Sequence, residues 1–473
     1  MPQVTNTKKE IWTIALYSLN TLAIMVGFMY LNTFATEVLK VPATSLATAL
    51  LVAKTIDFMV SLFSGAIIEK VKLLPGKGKN QQWLLVGRWI LAVCIAVEVF
   101  PTQGPVWLRL LIMSVAYTIL NSLMNILQTA YYGVMGVVAG PNPANRQAMT
   151  VNMTRLSTVI ALITAFIPTL VTKLPYGRWN YFVVAVTFML PMPFAFGAIG
   201  RLAEGKDLPV GEGGAVRQIS PKDMISALTE NKYLLALFVT NTVLNIGTYI
   251  TSGIGSYYWI YVAGDFSKMT VASLVGSVAG FFAAMVMPKL GQKLGKRKAI
   301  TIGYFIGPCV NLLVGIFGRF SWYYVIAGRV LSTFIMYSYS PFVMLMYMDA
   351  GEWHFNKTGK DTRGIVMGLA SPPMKIGMAV GGTIGLWLLA GTGYQAGFVP
   401  TPEWVSSYML AAYIIPACVA LVAACIFLIF YRLSDEEATR CAQENYAKLQ
   451  ASIAAAKAAE AGEAPAPEAP KEE

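Results

Sequence analysis

The chain has 473 residues, of which 56% are hydrophobic and only 13% charged, with a formal net charge of +12. Long apolar runs recur along most of its length, which excludes an ordinary soluble domain and implies a polytopic helical membrane protein. The positive charge falls in short loops between apolar segments, where orientation in the bilayer accounts for it without a nucleic-acid partner.

Runs long enough to span, about 20 residues each, fall near 11 to 34, 44 to 68, 83 to 100, 106 to 138, 152 to 172, 179 to 199, 232 to 262, 269 to 288, 298 to 317, 322 to 348, 363 to 391 and 406 to 431. They predict an all-α integral membrane fold of twelve transmembrane helices in two six-helix halves. The divisions expected are an N-terminal bundle over 1–200, an inter-half loop over 201–231, a C-terminal bundle over 232–432 and a tail over 433–473. The tail's Ala, Glu and Lys favour helix to about Ala459, and the Pro/Glu/Ala end is expected to be disordered. The first run starts at Ile11 behind Lys8 and Lys9, is too long for a signal segment and shows no small-residue cleavage site, so it reads as a retained span. Loop charges alternate. Lys8, Lys9, the Lys70 to Lys79 cluster, Arg146, the Arg201 to Lys232 loop, the Lys289 to Lys298 cluster and Lys357 to Arg363 fall on one side. The other side has only Lys40, Lys173, Arg178, Lys268 and Arg319, which predicts a cell-membrane protein with both termini cytoplasmic.

On the first span Asn20 and Thr21 are the polar candidates. The second carries Lys54, Asp57 and Ser61 at spacings of three and four, hence on one face. An Asp or Lys at a helix centre costs about 2.5 to 3.5 kcal/mol on insertion scales, so such residues normally face a cavity and find partners. A purely structural Lys54–Asp57 pair is the plain alternative to a functional acid. On the third, fourth and tenth spans Glu98, Arg109 and Arg329 lie toward span ends, where reaching to the interface is the expected behaviour. The fourth bears Tyr117, Asn121, Asn125, Gln128 and Tyr132 at helical spacing. Amides hydrogen-bond hydroxyls in both senses and aromatic faces stack on sugar rings, so the stripe suits a polyol, against plain interhelical bonding. Arg155 on the fifth span is a candidate for the cavity wall or for snorkelling.

The loop of about 201 to 231 splits the chain, and Gly and basic residues recur after the second and eighth spans, in PGKGK and PKLGQKLGKRK. The seventh span repeats the polar face with Asn241, Asn245, Thr248, Ser252, Ser256 and Trp259, and the tenth offers Tyr337, Tyr339 and Ser340. Polar faces in both halves point to one central cavity. His354, the only histidine, is expected in a loop. There is no HExxH, no CxxC pair and no Walker A sequence, so neither a metal site, an enzyme nor an ATP-driven pump is expected. The five cysteines make no disulfide framework. On the eleventh span Gly364, Gly368 and Ser371 lead to Lys375, a lone intramembrane lysine for which Asp57 is the obvious counter-charge, while Pro372 and Pro373 should kink the helix.

The segments AKTIDFMVSLFSG, SYYWIYVAGDFSKM, MDAGEWHFNKTGKDTRG and SPPMKIGMAVGG resemble the glycoside-pentoside-hexuronide:cation symporters, typified by the melibiose permease, across essentially the whole membrane region. The resemblance implies a major facilitator fold, alternating access and sugar uptake coupled to sodium or proton. By that likeness Asp57 matches the first cation-site acid, Lys375 the eleventh-span lysine linked to coupling, and Arg155 an arginine lining the central cavity. The chain departs from the pattern at Ser61, Thr21, Gln128 and Tyr132, where the permease has a second cation-site acid, two sugar-binding acids and a tryptophan. Lys54, Arg155 and Lys375 then face mainly Asp57, an excess of positive charge that favours an anionic ligand such as a hexuronide. The expectation is a monomeric secondary transporter importing a sugar or glycoside with a cation, the proton foremost. An uncoupled facilitator or exchanger of another polar solute is the alternative.

Overall fold

The computed structural model describes residues 4–20, 22, 30–140, 142–210, 221–360 and 363–460. Among these, eleven helices are long and apolar enough to cross a membrane. A short helix, α1 (Lys8–Ala15), precedes them. The spans are α2 (Ala43–Lys70), α3 (Lys79–Glu98), α4 (Val106–Ala139), α5 (Ala144–Lys173), α6 (Gly177–Leu202), α7 (Lys232–Val262), α8 (Lys268–Leu294), α9 (Lys296–Phe317), α10 (Trp322–Thr358), α11 (Ile365–Gly391) and α12 (Pro402–Phe430). A final helix, α13 (Asp435–Glu460), packs beneath α10. The span expected at 11 to 34 is described in pieces, as α1, a 3-10 turn over Leu16–Leu19 and the Leu31–Thr33 helix that runs on into a π turn over Phe34–Val38. Thr21 lies outside the described residues.

Local chemistry sets the boundaries. Thr7 and Glu10 form a capping box that starts α1. At the start of α3 the backbone N–H groups of Asn80 and Gln81 donate to Asp207 at 2.8 and 2.9 Å. A carboxylate on the chain leaving α6 therefore caps a helix far away in sequence, satisfying orphan donors at the positive end of the dipole. Gly359, at φ 69°, closes α10 in the left-handed conformation that glycine adopts without strain. As the prolines predict, the eleventh span breaks between Gly368 and Pro372.

One expectation is corrected here. His354 lies on α10, buried, and not in a loop. The segment DAGEWHFNK is polar, but its lone Gly351 costs only about 1 kcal/mol in a helix and no proline follows before Gly359, so the helix continues past the apolar run.

Helices α7 and α11 approach to backbone contact. A Cβ added at Gly377, Gly381 or Gly385 would sit 2.3 Å from Cβ of Asn245, 2.4 Å from the Ile246 carbonyl oxygen and 2.9 Å from the Ile250 carbonyl oxygen. Glycines every four residues let the two backbones touch, the usual solution where lipid supplies no hydrophobic drive for association.

The hydrogen bonds described between the first six spans and the last six are confined to mid-depth and to the end remote from residues 201–231. At that far end Asn32 Nδ2 donates to the Gly253 carbonyl at 2.8 Å, the Thr36 and Tyr257 hydroxyls meet at 2.7 Å, and those of Thr169 and Thr270 at 2.7 Å. Glu37 accepts from Tyr261 at 2.7 Å and from Tyr394 at 2.5 Å. At the loop end the described ion pairs stay within one half: Lys206 to Glu10 and Lys77 to Glu204 in the first, Lys360 to Glu230 and Lys296 to Asp349 in the second. Among the described residues, the halves are therefore bonded to each other at the far end and at mid-depth, and not at the loop end.

Candidate functional site

The centre of the molecule is a polar chain crossing from one half to the other. Asp57 on α2 is 9% exposed and Lys54, three residues earlier, 7%. Asn125 on α4 donates through Nδ2 to Asp57 Oδ1 in a short bond, and Lys375 Nζ on α11 donates to Asn125 Oδ1 at 2.7 Å. The amide is an adapter: one end serves an anion, the other a cation, and both bonds are charge-assisted. Asp57 and Lys375 are thus linked through Asn125, with no direct ion pair between them among the described residues. Lys54 Nζ reaches Met378 Sδ at 3.0 Å and lies 4.9 Å from the centre of the Tyr117 ring, so it too spans the seam between α2 and α11.

Helix geometry explains the gathering. Asn121, Asn125, Gln128 and Tyr132 follow one another at four, three and four residues and share a face of α4. Asn121 is buried and donates to the Tyr117 carbonyl at 2.7 Å, while Asn125 also reaches the Asn121 carbonyl at 3.1 Å. Toward the loop end the stripe opens: Gln128 is exposed and Tyr132 is 51% exposed, with its ring beside Tyr131 and Tyr17. Arg155 on α5 is exposed as well, and its Nη1 donates to Asn152 at 3.4 Å. Asn20 is buried with its Oδ1 lacking a hydrogen-bond partner among the described residues.

Other expected residues lie apart from this chain. Ser61, one turn beyond Asp57, donates to the Phe58 carbonyl of its own helix at 2.8 Å. Asn245 is pressed against Gly377 in the α7–α11 contact and donates to the Asn241 carbonyl at 2.7 Å. Tyr339 packs on α9 over Gly303, edge-on to Tyr304 with centroids 5.1 Å apart. Three groups were not anticipated as they stand. Met378 holds Lys54, Glu37 anchors the far-end latch, and Glu98 is 0% exposed and does not reach the interface as its position at a span end suggests. A separate cleft at the loop end, lined among others by Gly65, Glu69, Lys79, Asn80 and Asp207, belongs to the α3 cap and not to the central chain.

The comparisons with known proteins agree with this architecture. A family model described as MFS/sugar transport protein matches residues 11–435. The chain is 24% identical over 443 residues to the glucuronide carrier protein homolog of Escherichia coli (strain K12), covering 90% of this chain and 93% of that protein. It is 22% identical over 427 residues to a putative sulfoquinovose importer of Salmonella typhimurium (strain LT2), covering 88% of each. A crystal structure of the nucleoside transporter NupG superposes with a TM-score of 0.58 at 15% identity, over 90% of this chain and all of that one. That last likeness concerns the fold alone.

Proposed function

Since the chain belongs to the MFS/sugar transport protein family, a family of transporters and not of enzymes, we propose that it carries an anionic sugar or glycoside across the membrane by alternating access, coupled to a proton through Asp57. The observation that carries this reading is the Asp57–Asn125–Lys375 chain, which joins the two halves at mid-depth. With Asp57 ionised, Asn125 is oriented so that its oxygen accepts from Lys375. A proton on Asp57 removes the anion, and a bond to a charged group, worth about 1.5–3 kcal/mol, falls toward the 0.5–1.5 kcal/mol of a neutral one. Lys375 then lacks a counter-charge and can pair with a substrate carboxylate or sulfonate. Proton and anion thereby favour each other's binding, which is what symport requires.

Three further features support an anionic substrate. Lys54, Arg155 and Lys375 outnumber the single carboxylate of the central chain. Thr21, Gln128 and Tyr132 stand where the resembling symporters carry two acids and a tryptophan. Glucuronides and sulfoquinovose, named for the two relatives, are sugars bearing a carboxylate and a sulfonate. Gln128, Tyr132 and Arg155 on the open side of Asn125 would hold the sugar's hydroxyls, ring face and charge. One carboxylate tied to an amide and an ammonium suits a proton better than sodium, which needs several oxygens close together. The groups invoked all come from one chain, which fits a carrier working as a monomer. With the loop end cytoplasmic, as the distribution of Lys and Arg favours, the described bonds between the halves at the far end fit an inward-facing state.

The test is uptake of radiolabelled glucuronides, sulfonated sugars and neutral glycosides into vesicles, with proton and sodium gradients imposed separately. Accumulation of an anionic sugar under the proton gradient alone is the expected result. Accumulation only under sodium, or only of neutral glycosides, overturns the reading.

A further inference from the structure

Glu98, the last residue of α3, is 0% exposed, and neither of its carboxylate oxygens has a hydrogen-bond partner among the described residues. The charged and titratable groups facing it are Lys54 of α2, Tyr117 of α4 and Cys94 one turn back on its own helix. An ionised carboxylate without hydrogen bonds in such a place costs several kcal/mol, and the common outcome is a neutral acid. Lys54 could compensate it, but its ammonium is directed to Met378 on α11, in the other half, and over the Tyr117 ring. Lys54 therefore stands between two acids on its own side of the seam, Asp57 three residues along α2 and Glu98 on α3, while its present reach crosses the seam.

We propose that Glu98 is a second proton-binding site of this protein, occupied in the described state and emptied when Lys54 leaves Met378 and turns to it. Rocking of the halves carries α11 away from α2 and removes the Met378 sulfur from Lys54. The ammonium then pairs with Glu98, whose O–H bond breaks, and the proton passes to water in the opening between the halves. The second site works through Lys54 and touches no sugar. Its place in a transport cycle rests on the proton-coupling reading above, but the proton on Glu98 does not.

The first experiment is infrared spectroscopy of the purified full chain in deuterium oxide, on wild type, Glu98→Gln, Asp57→Asn and Met378→Leu. A band of protonated carboxyl is expected in wild type at neutral pH. It should disappear in Glu98→Gln, persist in Asp57→Asn and weaken in Met378→Leu, which keeps the volume but removes the sulfur that holds Lys54. A wild-type spectrum unchanged by Glu98→Gln overturns the proposal, and an unchanged band in Met378→Leu overturns its link to Lys54. Proton-driven uptake by Asp57→Asn in vesicles tests the coupling reading separately from the Glu98 band, so the two ideas fail independently.

Discussion

Two seams join the halves, and they are built differently. At the far end the bonds run between hydroxyls, an amide and one carboxylate, with Glu37 accepting from two tyrosines and Thr36 and Asn32 reaching α7. At mid-depth one asparagine separates an anion from a cation, and a lysine reaches a thioether. The far seam is redundant: removing one bond leaves several, each of modest net worth. The Asp57–Asn125–Lys375 part of the central seam holds one carboxylate, and in the proposed mechanism a single proton there changes its balance. A carrier needs both kinds, a latch that holds one conformation and a sensor that reports occupancy.

The contrast can be broken most severely at Asp57. Replacement by asparagine should bring the accumulation ratio to about one while counterflow persists, because a neutral side chain cannot carry the proton whose gradient drives uptake. Wild-type accumulation in that variant would remove the sensor from the account. Next in size is Gly381→Leu, whose side chain must enter the Ile246 backbone. Overpacking of this kind costs about 1–3 kcal/mol or more, and a fall in thermal stability in detergent, with binding lost in proportion, is the expected result. At the latch, Glu37→Gln removes the charge that two tyrosines address and should open the far end. Labelling of a cysteine introduced near Tyr261 should rise several-fold, as a loss of about 1 kcal/mol implies; unchanged labelling would mean the hydroxyl contacts alone hold the seam.

The smallest effect concerns the loop end. Glu10 is brought from its ordinary 4.5 to about 2, first by the bond from Lys206 and then by those from Asn6 and Thr7. A lowered carboxyl pKa contributes stability above the unfolded value, and that contribution is lost as pH falls toward the folded one. The pair is partly open to solvent, so Glu10→Gln should cost no more than about 1 kcal/mol at neutral pH. The difference from wild type should fade as pH drops from 4.5 to about 2.

Most of the fold was legible because membrane spans are long, apolar and bounded by charge. Asp57, Lys54 and Lys375 stood out for the same reason, as rare charges inside apolar runs, and the resemblance of the surrounding segments to sugar:cation symporters agrees with the family match. What stayed hidden depends on relations between helices. Asn125 was one of five residues in a stripe, and only the approach of α11 singles it out as the adapter. Glu98 and Glu37 sit at span ends, where an acid in sequence reads as interfacial; burial by neighbouring helices made one an enclosed acid and the other the anchor of the latch. Tyr339 looked like a cavity residue by position, but Gly303 leaves a hollow on α9 that its ring fills.

The glycine row of α11 has a consequence for how Lys375 is aimed. Because Gly377, Gly381 and Gly385 rest on the backbone of α7, the depth at which the ammonium sits is metered by main chain and not by side chains that could change shape. The α7–α11 pair acts as a gauge block: drift at surrounding lipid-facing positions leaves the reach of Lys375 to Asn125 unaltered, whereas a single methyl on the row would mis-set it.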